Sequence, residues 1–537
     1  MGTKSFFFSF LLLGLILSGS FAFASSNVPM QSWVYDHLER LVNTGLVDHA
    51  SLAMKPLSRQ EVAEILAQVI HKIEKNNEET YGFRNVLVED QLMTLIEEFK
   101  WELQRMGAYP LGEKAEAKWY SLKPLDTAQI KLGYAEDPFL LENSNADKRA
   151  QGFNLRLGGT SRVELAEYVS LYVHPEYRYD DKENKGYFLE TYGKLTLFNV
   201  ELEVGRDNQW WGPGYHGSLL LSSNALPLDL VKLSSATPFQ LPWIFRYLGF
   251  FELNFFLAKL EEHRDSPYTK LMGMRMNYAP APFLELGFSR VILCDGEAQP
   301  SYSLGDYWDV LTTTHTTTPG EEQAGVLETD QIYSFDVTLR LRNIGRYFPL
   351  ATSIVLYGEF GGEDMPGEFT VIPRSQGISD ANPGYIGGIL LQDLFTLEGL
   401  DFRAEYGRTN QIWYQHHFFT SGYTYKGVII GHHMGGNSDD LYFRLSHWLN
   451  KNFQVALDFD QERHGLTPVP KPLPGRTATT VQVTERYLES SILLFRPQDI
   501  PLSAMLACRV IDTKNADFER GENHTNYLLR LECSYEF

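Results

Sequence analysis

Two adjacent tryptophans, a Gly-Pro-Gly break and a Tyr-His pair fall within one short stretch, RDNQWWGPGYHGSLLLSSNALP at 206–227. Indole and phenol rings stack on the C–H faces of sugars, and Arg, Asp, Asn, Gln and His supply the hydrogen bonds that hydroxyls need. Arg206, Asp207, Gln209, Trp210, Trp211, Tyr215, His216 and Asn224 therefore form a candidate saccharide-binding set. A second stretch, EYGRTNQIWYQHHFFTSGYTYKGVIIGHHMGGNSDDL at 405–441, adds Trp413, Tyr414, Tyr423, Tyr425 and His432. Two structural alternatives stand beside this reading. The tryptophans could form an interfacial girdle, and Gly212, Pro213 and Gly214, which interrupt regular structure, could build a constriction or plug.

Other chemistries are disfavoured. The frame Gly431-His432-His433-Met434-Gly435 has the glycine spacing of a nucleophile elbow but carries His where a serine must stand. Hydrolysis of a glycosidic bond needs two carboxylates at a fixed separation, and spacing singles out no pair among 68 Asp+Glu. His416-His417 and His432-His433 offer imidazoles, yet neighbours on a strand point to opposite faces, so no metal site is expected. Cys294, Cys508 and Cys533 fit neither a disulfide framework nor a metal-ligand spacing. The expectation is a binding protein, not an enzyme, with no cofactor. A net charge of −21, from 47 Lys+Arg against 68 Asp+Glu, excludes nucleic acid as a partner. The 13% aromatic content suits surfaces that meet lipid headgroups or sugars.

These residues need a frame, and the chain announces one in three parts. Lys4, the apolar run from Phe6 to Leu17 and the small-x-small motif Ala22-Phe23-Ala24 predict an export signal over 1–24 with a mature start at Ser25. The region 25–124 is expected to be helical and periplasmic, with a helical apolar period from Gln31 to about Met106. Val34, Leu38, Leu41 and Val42 make one stripe, closed by Gly45, and Val62, Ile65, Leu66, Val69 and Ile70 make a second. Leu92, Leu95, Ile96, Phe99 and Leu103 make a third. Ser58 and Glu61 form a capping box ahead of the second stripe. The pattern WVYDHLERLVNTGLV…KPLSRQEVAEIL resembles one S-layer-homology-type repeat, whose tandem copies bind cell-wall polymers. Peptidoglycan is thus one candidate contact for these helices, and a cap on the following domain is the other.

After a polar connection around 111–123 the period becomes two. In the last segment Tyr527, Leu529, Leu531, Cys533, Tyr535 and Phe537 alternate with residues that include Arg530, Glu532 and Glu536. Similar strands fall near 127–135, 150–160, 169–173, 187–198, 200–204, 246–260, 268–278, 282–292, 331–342, 351–361, 400–409, 440–448, 455–459, 483–495 and 502–512. The count is taken as 17 to 19, and an even number near 18 is expected for a closed transmembrane barrel over 125–537. Glu201, Glu203 and Glu405 should face a wet lumen or pair with inward arginines such as Arg403. A soluble propeller or sandwich competes poorly, since no blade repeat is visible.

The segments from Gly205, GRDNQWWGPGYHGSLLLSSNALP, and over 405–441 resemble the signature blocks of the capsule assembly protein Wzi family. The resemblance implies an 18-stranded all-β outer-membrane barrel with a small helical periplasmic region. It further implies a lectin-like role in attaching or organising capsular or extracellular polysaccharide at a Gram-negative cell surface. Partners would be that polysaccharide and outer-membrane lipid, with a monomer expected. An outer-membrane porin or saccharide channel is the alternative.

Overall fold

The computed structural model describes residues 22–75, 85–109, 119–297, 301–312, 328–363, 383–467 and 481–537. Most of the expected export signal, 1–21, lies outside them. Eighteen long strands follow the helices: β1 Tyr120–Ala135, β2 Gly152–Leu165, β3 Val169–Tyr179, β4 Asn184–Leu197, β5 Val200–Asp207, β6 Leu228–Ser235, β7 Phe250–Lys259, β8 Lys270–Ala281 and β9 Leu284–Cys294. The second half is β10 Asp330–Leu341, β11 Ser353–Glu363, β12 Gly384–Gln392, β13 Leu400–Arg408, β14 Ser438–Asn450, β15 Phe453–His464, β16 Val483–Phe495, β17 Leu502–Lys514 and β18 Asn523–Glu536. Each pairs antiparallel with its neighbours in sequence, and β18 pairs with β1 to close the barrel. Closure leaves no sheet edge for lipid to leave unpaired.

Period-two alternation sorts the side chains as a membrane barrel requires. Leu202, Val204, Leu488, Leu529 and Leu531 point outward and are exposed. Inward positions carry paired charges, including Arg275 with Asp336 (2.8 Å), Arg340 with Glu285 (2.9 Å), Lys232 with Glu203 (2.8 Å) and Lys194 with Glu201 (2.8 Å). Exposed aromatics ring both ends. Tyr134, Phe153, Tyr179 and Phe188 lie toward the long-loop end, and Tyr168, Phe198, Phe283 and Phe537 toward the short-turn end. Short turns mark the periplasmic side of such barrels, which is also where the helices dock.

Two strands were not anticipated. β6 follows the apolar run of the 206–227 stretch, which masks its start. β12 carries Gly387 and Gly388, so its alternation is interrupted. β1 starts at Tyr120, ahead of the expected 125, and its register with β2 shifts between Lys123 and Thr127, around Pro124.

The helices are α1 Val34–Asn43, α2 Arg59–Lys75, α3 Val86–Glu98 and α4 Lys100–Met106. The capping box forms as expected: Ser58 N–H donates to Glu61 Oε2 (2.6 Å), and Glu61 N–H donates to Ser58 Oγ (3.1 Å). Gly45 has the positive φ of a helix terminator, +86°. The third stripe is one packed face but two helices, because Phe99 (φ −100°, ψ 19°) breaks the chain between α3 and α4 while staying buried. Charged groups fasten the unit to the barrel's lower rim. Arg40 pairs with Asp393 (2.7 Å) and with Asp401, and Arg403 pairs with Glu39 (2.7 Å). Trp33 Nε1–H donates to Glu536 (2.6 Å).

His37 of α1 is wedged among Trp33, Trp448 and Phe495 at ring separations of 5.0–5.4 Å. Burial, reinforced by Arg40 and Arg496, pushes its imidazole down to about 3. The docked state therefore refuses a proton that the freed helix accepts below its ordinary value near 6.5. Docking is at full strength above 6.5 and weakens as pH falls from there toward 3, by about 2 kcal/mol at pH 5. His37→Phe should flatten this dependence. Hydrogen exchange of the α1 amides at pH 7 and pH 5 measures it, and equal acid sensitivity in the variant would refute the assignment to His37.

Candidate functional site

Both stretches singled out in the sequence are long loops at the upper end of the barrel, and both fold down into the lumen. Residues 208–227 follow β5, and residues 409–437 follow β13. They zip together through backbone and hydroxyl groups. Ser222 N–H donates to Ile430 O (3.0 Å), Ser222 Oγ to Gly431 O (2.7 Å), Asn224 Nδ2 to Ile429 O (3.1 Å) and Tyr423 Oη to Leu220 O (2.9 Å). Gly217 and Gly431 permit the close approach: a methyl on either would overlap the His432 ring or the Leu219 carbonyl.

The N-terminal region meets them from below. Met54 and Lys55 form a two-residue antiparallel ladder with Trp211 and Trp210, and Gly212 N–H donates to Ala53 O (2.8 Å). The ammonium of Lys55 lies over Tyr35 (5.0 Å) and Trp210 (5.9 Å). No helical or loop periodicity signals this ladder; only its neighbour Trp210-Trp211 stood out.

The barrel wall completes the plug. Trp211 is fully buried, packs on Phe256 (5.3 Å) and lies over Gly273, while Trp413, also fully buried, lies over Gly361 and Gly384. Three wall carboxylates accept loop N–H groups: Glu359 from Leu219 (3.1 Å), Glu363 from Tyr414 (3.0 Å), and Glu405 from Tyr215 (2.8 Å) and His216 (3.1 Å). Glu405 thus caps the plug instead of pairing with Arg403.

Most residues of the sequence-based set are brought into this plug, though not as an open platform. Trp211, Trp413, Tyr414, Tyr423 and Tyr425 share one hydrophobic cluster with Leu219, Leu220 and Leu221. Trp210 and Trp211 are inside the barrel and not in either girdle. Asp207 accepts from Asn27 Nδ2 (2.8 Å), Gln209 accepts from Asn254 Nδ2 (3.2 Å), and Tyr215 lies under the Arg403 guanidinium (4.2 Å). Arg206 stands apart on the outward face of β5, in a two-pronged pair with Asp229 (2.7 and 2.8 Å). A cavity of about 500 Å³ remains between the helices and the wall, lined by charged groups such as Lys131, Arg149, Glu176, Arg444, Arg530 and Glu532; it touches none of the candidate saccharide-binding residues.

A polar cluster lies at one side of the plug. His216 stacks on Tyr442 (4.0 Å), and His433 Nδ1 lies 2.8 Å from Glu462. Burial opposes charge on His433, but Glu462, with Glu142 and Asp460, outweighs it and lifts the imidazole to about 9. His432 is driven the other way, well below its ordinary value, by burial and by the neighbouring His433 and His216. The expectation that His432 and His433 diverge fails because they occupy a loop, not a strand.

The sequence profile described as "Capsule assembly protein Wzi" matches residues 126–527. The chain belongs to this family. A protein from the cps region of Klebsiella pneumoniae, uncharacterized and of 55.8 kDa, is 26% identical over 366 residues, which is 66% of this chain and 62% of that protein. The match thus spans under two thirds of that relative's length. Among solved structures, Wzi of Escherichia coli, a carbohydrate-binding outer-membrane β-barrel involved in group 1 capsule assembly, superposes with a TM-score of 0.66 at 18% identity. The superposition covers 95% of this chain and 99% of that one, a likeness of fold. OprD of Pseudomonas aeruginosa reaches only 0.45 at 12% identity over 79% and 96% of the two chains.

Trp211→Ala and Trp413→Ala should each cost about 3–5 kcal/mol of plug packing while the barrel persists. Hydrogen exchange should then reach the Leu219–Leu221 amides, with the β14–β18 amides still protected. Unchanged protection at Leu219–Leu221 would show that the indoles do not hold the loops.

Proposed function

We propose that this chain is a non-enzymatic, lectin-like outer-membrane protein that holds or organises capsular or extracellular polysaccharide at the cell surface. The observation that carries the reading is the plug. Two loops rich in aromatic and hydroxyl side chains are fixed inside the barrel, bonded to each other, to wall carboxylates and to the N-terminal segment. A lumen filled in this way favours a rigid surface over a transport path. Family membership supports the same reading, as does the carbohydrate binding named for the E. coli relative.

On this reading the buried aromatics act as positioning residues. They hold the outer surface of 409–437, where His417 and Thr420 are exposed and Phe418 is half-buried, against incoming glycan. The helices act as a cap, because Arg40, Glu39 and Trp33 direct their polar groups to the barrel rim; a peptidoglycan contact would have to use the remaining faces. A channel would have to run through the charged cavity beside the helices.

Purified protein in planar bilayers should carry no large steady current and should retain polysaccharide in a glycan pull-down. His417→Ala/Phe418→Ala should weaken retention severalfold with the plug intact. A large steady conductance would favour the channel, and full retention by that variant would move the glycan contact away from His417 and Phe418.

A further inference from the structure

The polar cluster beside the plug has the composition of a cation site. His216 comes from the first loop, His433 from the second, Asp440 from β14 and Asp460 from β15. His216 Nε2 lies 3.7 Å from Asp440 Oδ2 and 3.4 Å from Asp460 Oδ2, and His433 Nε2 lies 3.6 Å from Asp440 Oδ2. The candidate ligand atoms of His216, His433 and Asp440 all fall within 4.8 Å of one another. Ligands held 2.0–2.1 Å from a tetrahedral centre are about 3.3 Å apart, and the three His–Asp separations above exceed that by only a few tenths of an ångström.

Two further observations point to a ligand. Asp440 Oδ1 and Asp460 Oδ1 are buried and accept no hydrogen bond from the described residues, although both side chains are only 3% exposed. Buried carboxylate oxygens left so are costly and call for a proton or a cation between them. Glu462 also sits behind His433, 2.8 Å from Nδ1. A carboxylate that takes the Nδ1–H fixes the tautomer and frees Nε2 as a ligand, the support that metal-bound imidazoles ordinarily have.

We propose that His216, His433, Asp440 and Asp460 bind one divalent first-row cation, with Zn²⁺ the preferred ion. Mixed imidazole and carboxylate donors at tetrahedral spacing suit Zn²⁺ better than the all-oxygen shells of Ca²⁺ or Mg²⁺. Binding displaces the Nε2 proton of His433, which otherwise faces the His216 carbonyl at 3.0 Å. The ion would join both plug loops to the wall at one point, and this role is independent of whether the loops touch sugar.

The test uses the full-length protein in detergent, freed of metal by chelator and titrated with Co²⁺. The expected result is one Co²⁺ per chain, with the visible d–d absorption of a four-coordinate ion, displaced by Zn²⁺. Glu462→Gln should weaken binding about 10–100-fold, and His216→Ala/His433→Ala should abolish it; His263→Ala, at an exposed loop histidine, should leave it unchanged. Absence of stoichiometric four-coordinate Co²⁺ in the native chain, or equal uptake by His216→Ala/His433→Ala, would overturn the proposal in favour of a proton shared between Asp440 and Asp460.

Discussion

A loop that folds into a barrel lumen must find a partner for every backbone group it takes out of water, and this requirement governs the structure. An unpaired buried N–H costs about 1–3 kcal/mol, so a plug of irregular backbone is stable only if its surroundings are built to accept it. Glu359, Glu363 and Glu405 do this from the wall, each taking one or two N–H groups of the inserted loops. The loops satisfy one another elsewhere, and Ala53 takes the N–H of Gly212. The inward face of the barrel thus has two jobs. Its Arg and Lys residues balance acids across neighbouring strands, and its remaining acids serve the plug.

Shape is matched as closely as polarity. The two fully buried indoles lie against Gly273, Gly361 and Gly384, positions where the wall has no side chain to obstruct them. Glycines in a strand weaken it locally, yet here they open recesses as deep as a ring is thick. The cost in strand regularity is offset by the burial of large apolar surfaces in the centre of a polar tube.

The strands were legible in the sequence because an apolar environment on one side of the sheet and a polar one on the other impose a period of two. Where the alternation is clean, as at 527–537 or 455–459, the strand was evident. It was obscured where glycine pairs interrupt it, as in β12, and where an apolar plug segment runs up to the strand, as at β6. The capping box at Ser58 and Glu61 and the terminator Gly45 were local signals and could be read directly. The plug was only half legible. Trp210, Trp211, Trp413 and Tyr414 stood out by composition, but burial in a lumen and exposure on a platform demand the same residue types. The ladder with Met54 and Lys55, the acids beneath the loops and the meeting of His216, His433, Asp440 and Asp460 depend on contacts between segments far apart in the chain, and no local pattern encodes them.

The pairing of Met54–Lys55 with Trp210–Trp211 makes the two ends of the barrel mechanically continuous. The helices hang below the rim, the loops are rooted above it, and this short ladder is the rung between them. A strand advances about 3.3–3.4 Å per residue, so a pull on the helical unit by that amount would break both rungs and withdraw the support of Trp210 and Trp211 from beneath. The support of the plug from below therefore depends on how firmly the ion pairs of Arg40 and Arg403 hold the helices to the wall.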